Sequence, residues 1–422
     1  MALLVMVMVG VSTAGARSQE KTGGPKAPPR LFQATDVIHP LVAKLPPPVF
    51  HPGLETEKMV IFTSSPEAQR HVLQGMALVQ AAWDFEAYRH FCEAVKLDPD
   101  CVMAYWGIGL SLAAPNHEFT VQRMAAVDRM LDLLEALEGK LPEIEREYGI
   151  SLALLFSANA KAASKAFKVL SQKFPQNLQA RLMGIYLQRD GYTDFGDALY
   201  GQEQAIKQMK ALLTEHPESL SVLTYWLMLH AAAPDPAGTL RTEILPSARK
   251  LVRLCPDFAP YNHLLGHFEW RCGNPGLAER AFTRAGDLFR SHMETDGLSF
   301  HDCPGWIRAR LYLVAALYTQ GKFDEAMEVA KELAALQVDG GERVEELVEG
   351  KTVVGYQGGR LGSAGANLVI WEARTFPARL YLSRGEAGDF AKGIATLPKK
   401  DDPQLFRDRT LSIFYLEGLR QY

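Results

Sequence analysis

The chain has 422 residues, 47% of them apolar and 22% charged, with a formal charge of −4. That length points to two or three domains or one extended array, and the apolar share suits a well-cored folded protein. The mild charge gives no footing for electrostatic binding of nucleic acid or a charged membrane surface. Beyond the first residues, no run of about 20 apolar residues is available to cross a bilayer.

Residues 1–16, MALLVMVMVGVSTAGA, form an apolar run closed by Ala14-Gly15-Ala16. This reads as a signal-peptide core with a small-x-small cleavage site, though no Lys or Arg precedes the core, so the expected address is periplasmic or extracellular. Residues 17–57 hold eight prolines, from Pro25 to Pro52, and are expected to form an extended linker. The five cysteines (Cys92, Cys101, Cys255, Cys272 and Cys303) are odd in number, so at least one is unpaired or bonds between chains; none forms a CxxC, and Cys92 and Cys272 read as buried core residues.

From Ser65 the text turns helical. Ser65 is the expected N-cap of a helix running to Gln80, with Pro66 in its first turn. That helix carries Gly75, and its partner carries Ala87, Phe91 and Ala94. The same steps recur from Gly266 to Ala278, Phe282 and Ala285, around a turn at Gly273-Asn274-Pro275. Mid-helix glycine costs about 1 kcal/mol against alanine, so Gly266 and its counterpart are expected to admit a closely packed helix, with Ala278 opposite Gly266. Small residues facing each other, a large one beside them and a proline between units are the pattern of a tetratricopeptide repeat.

Downstream units follow at Ala163/Phe167/Pro175, Ala205/Met209/Pro217 and Gly321/Phe323/Ala326. Their spacing is uneven, and residues 120–157 read as an inserted helical pair split at Pro142. The expectation is an all-α, TPR-like array (an α-solenoid) over 58–345 with irregular insertions. Residues 346–422 would then be a glycine-rich loop and capping helices at about 366–384, 387–396 and 403–420. Gly350-Lys351-Thr352 matches the tail of a phosphate loop, but the required glycine five positions earlier is Glu345.

Two passages go beyond a generic repeat. Residues 64–113, with SSPEAQ and DPDCVMAYWG, resemble the opening of a group of exported bacterial tetratricopeptide-repeat proteins of unestablished activity. NHLLGH at 262–267 resembles the His-x-x-x-His helix those proteins carry later, and the likeness covers most of residues 60–340. It implies a fold and an extracytoplasmic address, and no reaction. Two departures stand out. Gln80 occupies a position where such proteins often have histidine, and Ser65 occupies a cysteine position, which would leave Cys101 without that disulfide partner.

The inward positions of each first helix lie three before, one after and four after the glycine. Around Gly266 these are His263, His267 and Trp270; around Gly109 the rule includes Trp106. Counting back from Ala326 adds Leu311, Ala315 and Tyr318, with Arg308 one turn earlier. The expected function is a non-enzymatic scaffold whose groove binds a protein or peptide through His263, His267, Trp270, Trp106, Arg308 and Tyr318. A competing reading is a divalent-metal or small-molecule site on His263 and His267, which at i and i+4 reach one ion but need further ligands. His230, read as a core histidine, and His301 with Asp302 are the candidates for those. No nucleophile motif stands out, His301-Asp302-Cys303 being adjacent residues in a loop. No cofactor is called for beyond that metal.

Overall fold

The computed structural model describes residues 33–54, 59–113, 117–157, 159–234, 238–348, 351–357 and 359–398, with Gly418 and Gln421. The apolar run at 1–16 and the expected helix at 403–420 lie essentially outside these residues. The chain divides into two compact units, one formed by residues up to 115 and 119–237, the other by 116–118 and 238–422.

In the first unit, helix follows helix through short turns: α2 Pro66–Gln80, α3 Asp84–Leu97, α4 Val102–Ser111, α5 Thr120–Ala136, α6 Glu143–Ser157, α7 Ala160–Lys173, α8 Leu178–Tyr186, α9 Tyr200–Glu215 and α10 Leu220–His230. Most sequential neighbours pack against each other as antiparallel pairs, the TPR-like arrangement. α2 begins and ends where the sequence indicated, with Ser65 Oγ accepting the Ala68 N–H at 3.2 Å. Two glycines explain the tight contact of α2, α3 and α4. A Cβ on Gly75 would lie 2.7 Å from the Phe91 ring and one on Gly107 2.1 Å from it, so the ring is clasped between two side-chain-free positions. Buried Gln80 is held by Gln179 of α8 and accepts from Ser221 Oγ of α10, a polar link joining α2, α8 and α10.

The expected linker is, over 33–54, folded structure. A short 3-10 turn (Ala34–Val37) leads to α1, Pro40–Ala43. Val37, Ile38, Val42 and Leu54 are buried, and Tyr88 Oη accepts the His39 N–H (2.9 Å) while donating to the Val37 carbonyl (2.8 Å). Arg89 donates to the Pro46 carbonyl (2.9 Å), and the Phe50 ring lies against His71 and His90. Prolines keep this stretch from forming long helices, but the apolar residues between them have a surface to cover.

The second unit opens with a π-helical turn, Leu240–Ile244, and continues through α11 Leu245–Leu254, α12 Ala259–Arg271, α13 Pro275–Asp296, α14 Pro304–Thr319 and α15 Phe323–Ala334. A Cβ on Gly266 would meet the Phe282 ring at 2.7 Å, so Phe282, not Ala278, is the group that requires glycine there. After α15 the expected glycine-rich loop is instead an antiparallel hairpin, β1 Glu342–Val348 and β2 Lys351–Gln357, in register from Glu342↔Gln357 to Val348↔Lys351. Two strands leave the all-α class unchanged. The unit closes with α16 Ala364–Trp371, α17 Phe376–Arg384 and α18 Asp389–Thr396. All five cysteines are buried thiols, two in the first unit and three in the second.

Candidate functional site

The site is built in the second unit from α12 and α14. α12 is aimed by its own start: Asn262 Nδ2 donates to the Pro256 and Phe258 carbonyls at 2.7 and 3.0 Å, fastening the first turn. Gly266 then lets Phe282 of α13 press against the middle of the helix. This fixes the face carrying His263, His267 and Trp270.

These three converge on a residue the sequence reading missed, Tyr312 of α14. Its ring meets His263 edge-on at 5.3 Å, His267 at 5.6 Å and Trp270 at 6.3 Å, with Phe282 beneath at 5.3 Å. Such edge-to-face contacts are the favoured aromatic geometry. Trp270 is half-buried, and its indole N–H donates to Thr319 Oγ1 at 3.1 Å. The count from Ala326 gave Leu311, Ala315 and Tyr318 as the inward residues of α14. Leu311 is buried, while Tyr312, one position on, supplies the shared ring.

Burial, with smaller contributions from His267 and the Arg308 guanidinium, lowers the His263 pKa to about 3, so the imidazole is neutral at physiological pH. Its Nδ1 is shielded from solvent and has no hydrogen-bond partner, an arrangement that costs free energy unless a bound group completes it. Burial, then the Glu372 carboxylate, pushes the Tyr312 hydroxyl up to about 12. Neither group sits near pH 7, where proton transfer is most effective. Arg308 is exposed and forms no ion pair among the described residues. Tyr318 is half-buried one residue before the end of α14, and no ring contact joins it to Tyr312 or Trp270 among the described residues.

Trp106 does not belong to this surface. It lies in the first unit with 0% exposure, edge-on to Tyr148 of α6 at 5.3 Å. The inserted pair α5–α6 covers the face the repeat register had opened; Leu152 of α6 and Val127 of α5 likewise crowd Gly109.

The metal reading gains no geometric support. Neither His263 nor His267 belongs to a group of three or more donor side chains near enough to share an ion, among the described residues. His230 packs edge-on to Trp226 at 4.4 Å in the first unit. His301 is occupied on both nitrogens: Nε2 accepts the Asp339 N–H (3.2 Å), leaving Nδ1–H to face Ser299 Oγ (3.2 Å). Asp302 accepts from Ser299 and pairs with Arg360, which also pairs with Glu118. The His301-Asp302-Cys303 triplet therefore builds a loop, its histidine and aspartate both committed to other partners.

No family model and no curated protein sequence matches the chain. Among solved structures, it is similar to TTC0263, a thermophilic TPR protein of Thermus thermophilus, at 19% identity. That match covers 45% of this chain and 89% of the other, with a TM-score of 0.32. It is also similar to a human IFIT1 dimer with m7Gppp-AAAA at 13% identity, over 85% of this chain and 89% of the other, with a TM-score of 0.34. Likenesses at this level carry no inference about a ligand.

Proposed function

We propose that the chain is a non-enzymatic, exported scaffold that binds a protein or peptide segment on the α12–α14 surface of its second unit. The observation that carries this reading is the convergence of His263, His267 and Trp270 on Tyr312, with a shielded, unpartnered His263 Nδ1 and the exposed Arg308 beside them. Aromatic and arginine side chains concentrate binding energy because they combine large buried area with hydrogen-bonding capacity. A peptide backbone supplies both donors and acceptors, either of which satisfies a neutral imidazole nitrogen. Protein is preferred over nucleic acid because the chain is net acidic and its basic side chains are scattered. Export rests on the apolar run at 1–16 and its Ala14-Gly15-Ala16 ending.

The test is a random-peptide display selection against the purified chain and against the double variant His263→Ala/Trp270→Ala. Peptides enriched on the parent should bind the double variant at least about tenfold more weakly. The variant should keep the fold with a moderately lowered melting temperature, because His263 also packs on Phe282 and Tyr312 while Gly266 is unchanged, so binding is compared well below both melts. Peptides that bind both proteins equally, or a single-stranded RNA that displaces them and binds more tightly, would overturn the reading.

A further inference from the structure

A second surface, in the first unit and independent of the α12–α14 reading, is built around Phe195. This side chain is 95% exposed, more than any other large apolar side chain among the described residues, and Leu199 and Tyr200 beside it are exposed as well. Single exposed apolar residues are ordinary; a preorganised aromatic tip is not.

The loop between α8 and α9 is constructed to hold that tip. Tyr192 and Ala198 form an isolated antiparallel bridge. Within it, the Gly196 N–H donates to the Thr193 carbonyl (3.0 Å), and the Thr193 N–H donates to the Asp197 carbonyl (2.8 Å). The Asp197 N–H adds a bond to Thr193 Oγ1 at 3.1 Å. Gly196 has φ 94°, which favours glycine, and a Cβ there would press on Pro234 at 3.0 Å. Asp190 fastens the far side by accepting the Gly201 and Gln202 N–H groups at 3.0 and 2.7 Å. Phe195 is thus the apex of a tight turn with little ordering left to do on binding, the condition under which an exposed ring delivers affinity.

Charge identifies the occupant. Residues 190–206 carry Asp190, Asp194, Asp197 and Glu203 and no Lys or Arg. Asp194 and Asp197, on either side of Phe195-Gly196, are exposed and make no ion pair among the described residues. An anionic lipid surface or a nucleic acid would be repelled by that pair. We propose that the Phe195 turn is a docking element for a partner protein that receives the ring in an apolar pocket rimmed by Lys or Arg. The carboxylates steer the approach, and the ring supplies the lasting contact.

The test replaces Phe195 in the full chain with the photoreactive p-benzoylphenylalanine and irradiates cells that express it. The crosslinked protein is then identified, purified and titrated with the parent, with Phe195→Ala and with Asp194→Asn/Asp197→Asn. The expected result is one dominant protein adduct, attached within an apolar pocket flanked by basic residues. Phe195→Ala should weaken binding at least about tenfold, without a change in melting temperature. The double Asn variant should bind severalfold more slowly and lose most of the salt dependence of association. No adduct, an adduct to lipid, to nucleic acid or to a second copy of this chain, or binding by Phe195→Ala within twofold of the parent would each overturn the proposal.

Discussion

Glu145, in the first turn of α6, is a carboxyl buried to 0% exposure. Its Oε1 accepts the Phe62 N–H at 2.5 Å, and its Oε2 has no partner. Burial raises its pKa to about 7. Set against an ordinary carboxyl near 4.5, that difference corresponds to about 3 kcal/mol between the two protonation states. Between pH 4.5 and 7 the folded chain keeps a proton the unfolded chain has released, so stability falls as pH rises through this window and levels off above it. Glu145→Gln keeps the acceptor for Phe62 and removes the charge. The variant should match the parent within about 1 kcal/mol at pH 4.5 and exceed it by up to about 3 kcal/mol at pH 8. Calorimetric melts of both proteins at four pH values between 4.5 and 8 provide the assay. At pH 8 the first unit of Glu145→Gln should melt several degrees higher. A stability difference that stays constant with pH, or a variant less stable at pH 8, would refute an isolated buried carboxyl.

Three other outcomes concern packing and titration, and a fourth an ion pair. Gly266→Leu should cost about 3 kcal/mol or more in thermal melts, because even a Cβ there meets the Phe282 ring at 2.7 Å. Gly276→Ala, whose Cβ would meet only Gln320 Oε1 at 3.5 Å, should be neutral or stabilise by about 0.5 kcal/mol in denaturant titrations. His90, whose Nδ1 lies 2.9 Å from that of His71, is held by burial at a pKa of about 3. Below pH 6.5 the unfolded chain therefore takes up a proton the folded chain refuses; stability drops toward pH 3, and His90→Asn should flatten that slope in acid melts. Arg360→Met leaves the nearly buried Glu118 and Asp302 without their shared cation, which should cost about 3–5 kcal/mol in the second unit's melt at pH 7.

The repeat core was legible because its signal is geometric and local. Gly75 and Phe91, like Gly266 and Phe282, sit at the same separation across a helix hairpin, and each glycine meets that ring, where the alanine had been expected opposite Gly266. The common face of His263, His267 and Trp270 on α12 was legible for the same reason, since the glycine fixes it. Register did not carry into α14, where the count back from Ala326 aimed Leu311, Ala315 and Tyr318 inward and the shared ring proved to be Tyr312. Trp106 was misread because the repeat rule ignores what an insertion covers, and Tyr148 arrives from the inserted pair. The hairpin did carry a signal: Val344, Val348, Val353, Val354 and Tyr356 flank a two-residue Glu349-Gly350 connection, a combination outweighed by the surrounding glycines. Over 33–54, proline density hid apolar residues whose partners lie on α3 and α5 and, for Phe50, on α2, contacts that no local pattern announces.

The distribution of the five thiols gives the molecule a built-in counter. Cys92 and Cys101 lie in the first unit, and Cys255, Cys272 and Cys303 in the second; burial pushes the Cys101 thiol up to about 12 and also raises those of Cys92 and Cys255. A buried, protonated thiol is inert to alkylation until its surroundings open. Brief exposure to a maleimide in rising denaturant, followed by intact-mass spectrometry, would then record which half of the chain lets go first. Two adducts would mark opening of the first unit alone, three the second, and five both together. The same side chains that fill the core thereby report, one mass increment at a time, whether the two halves fold as one cooperative body or separately.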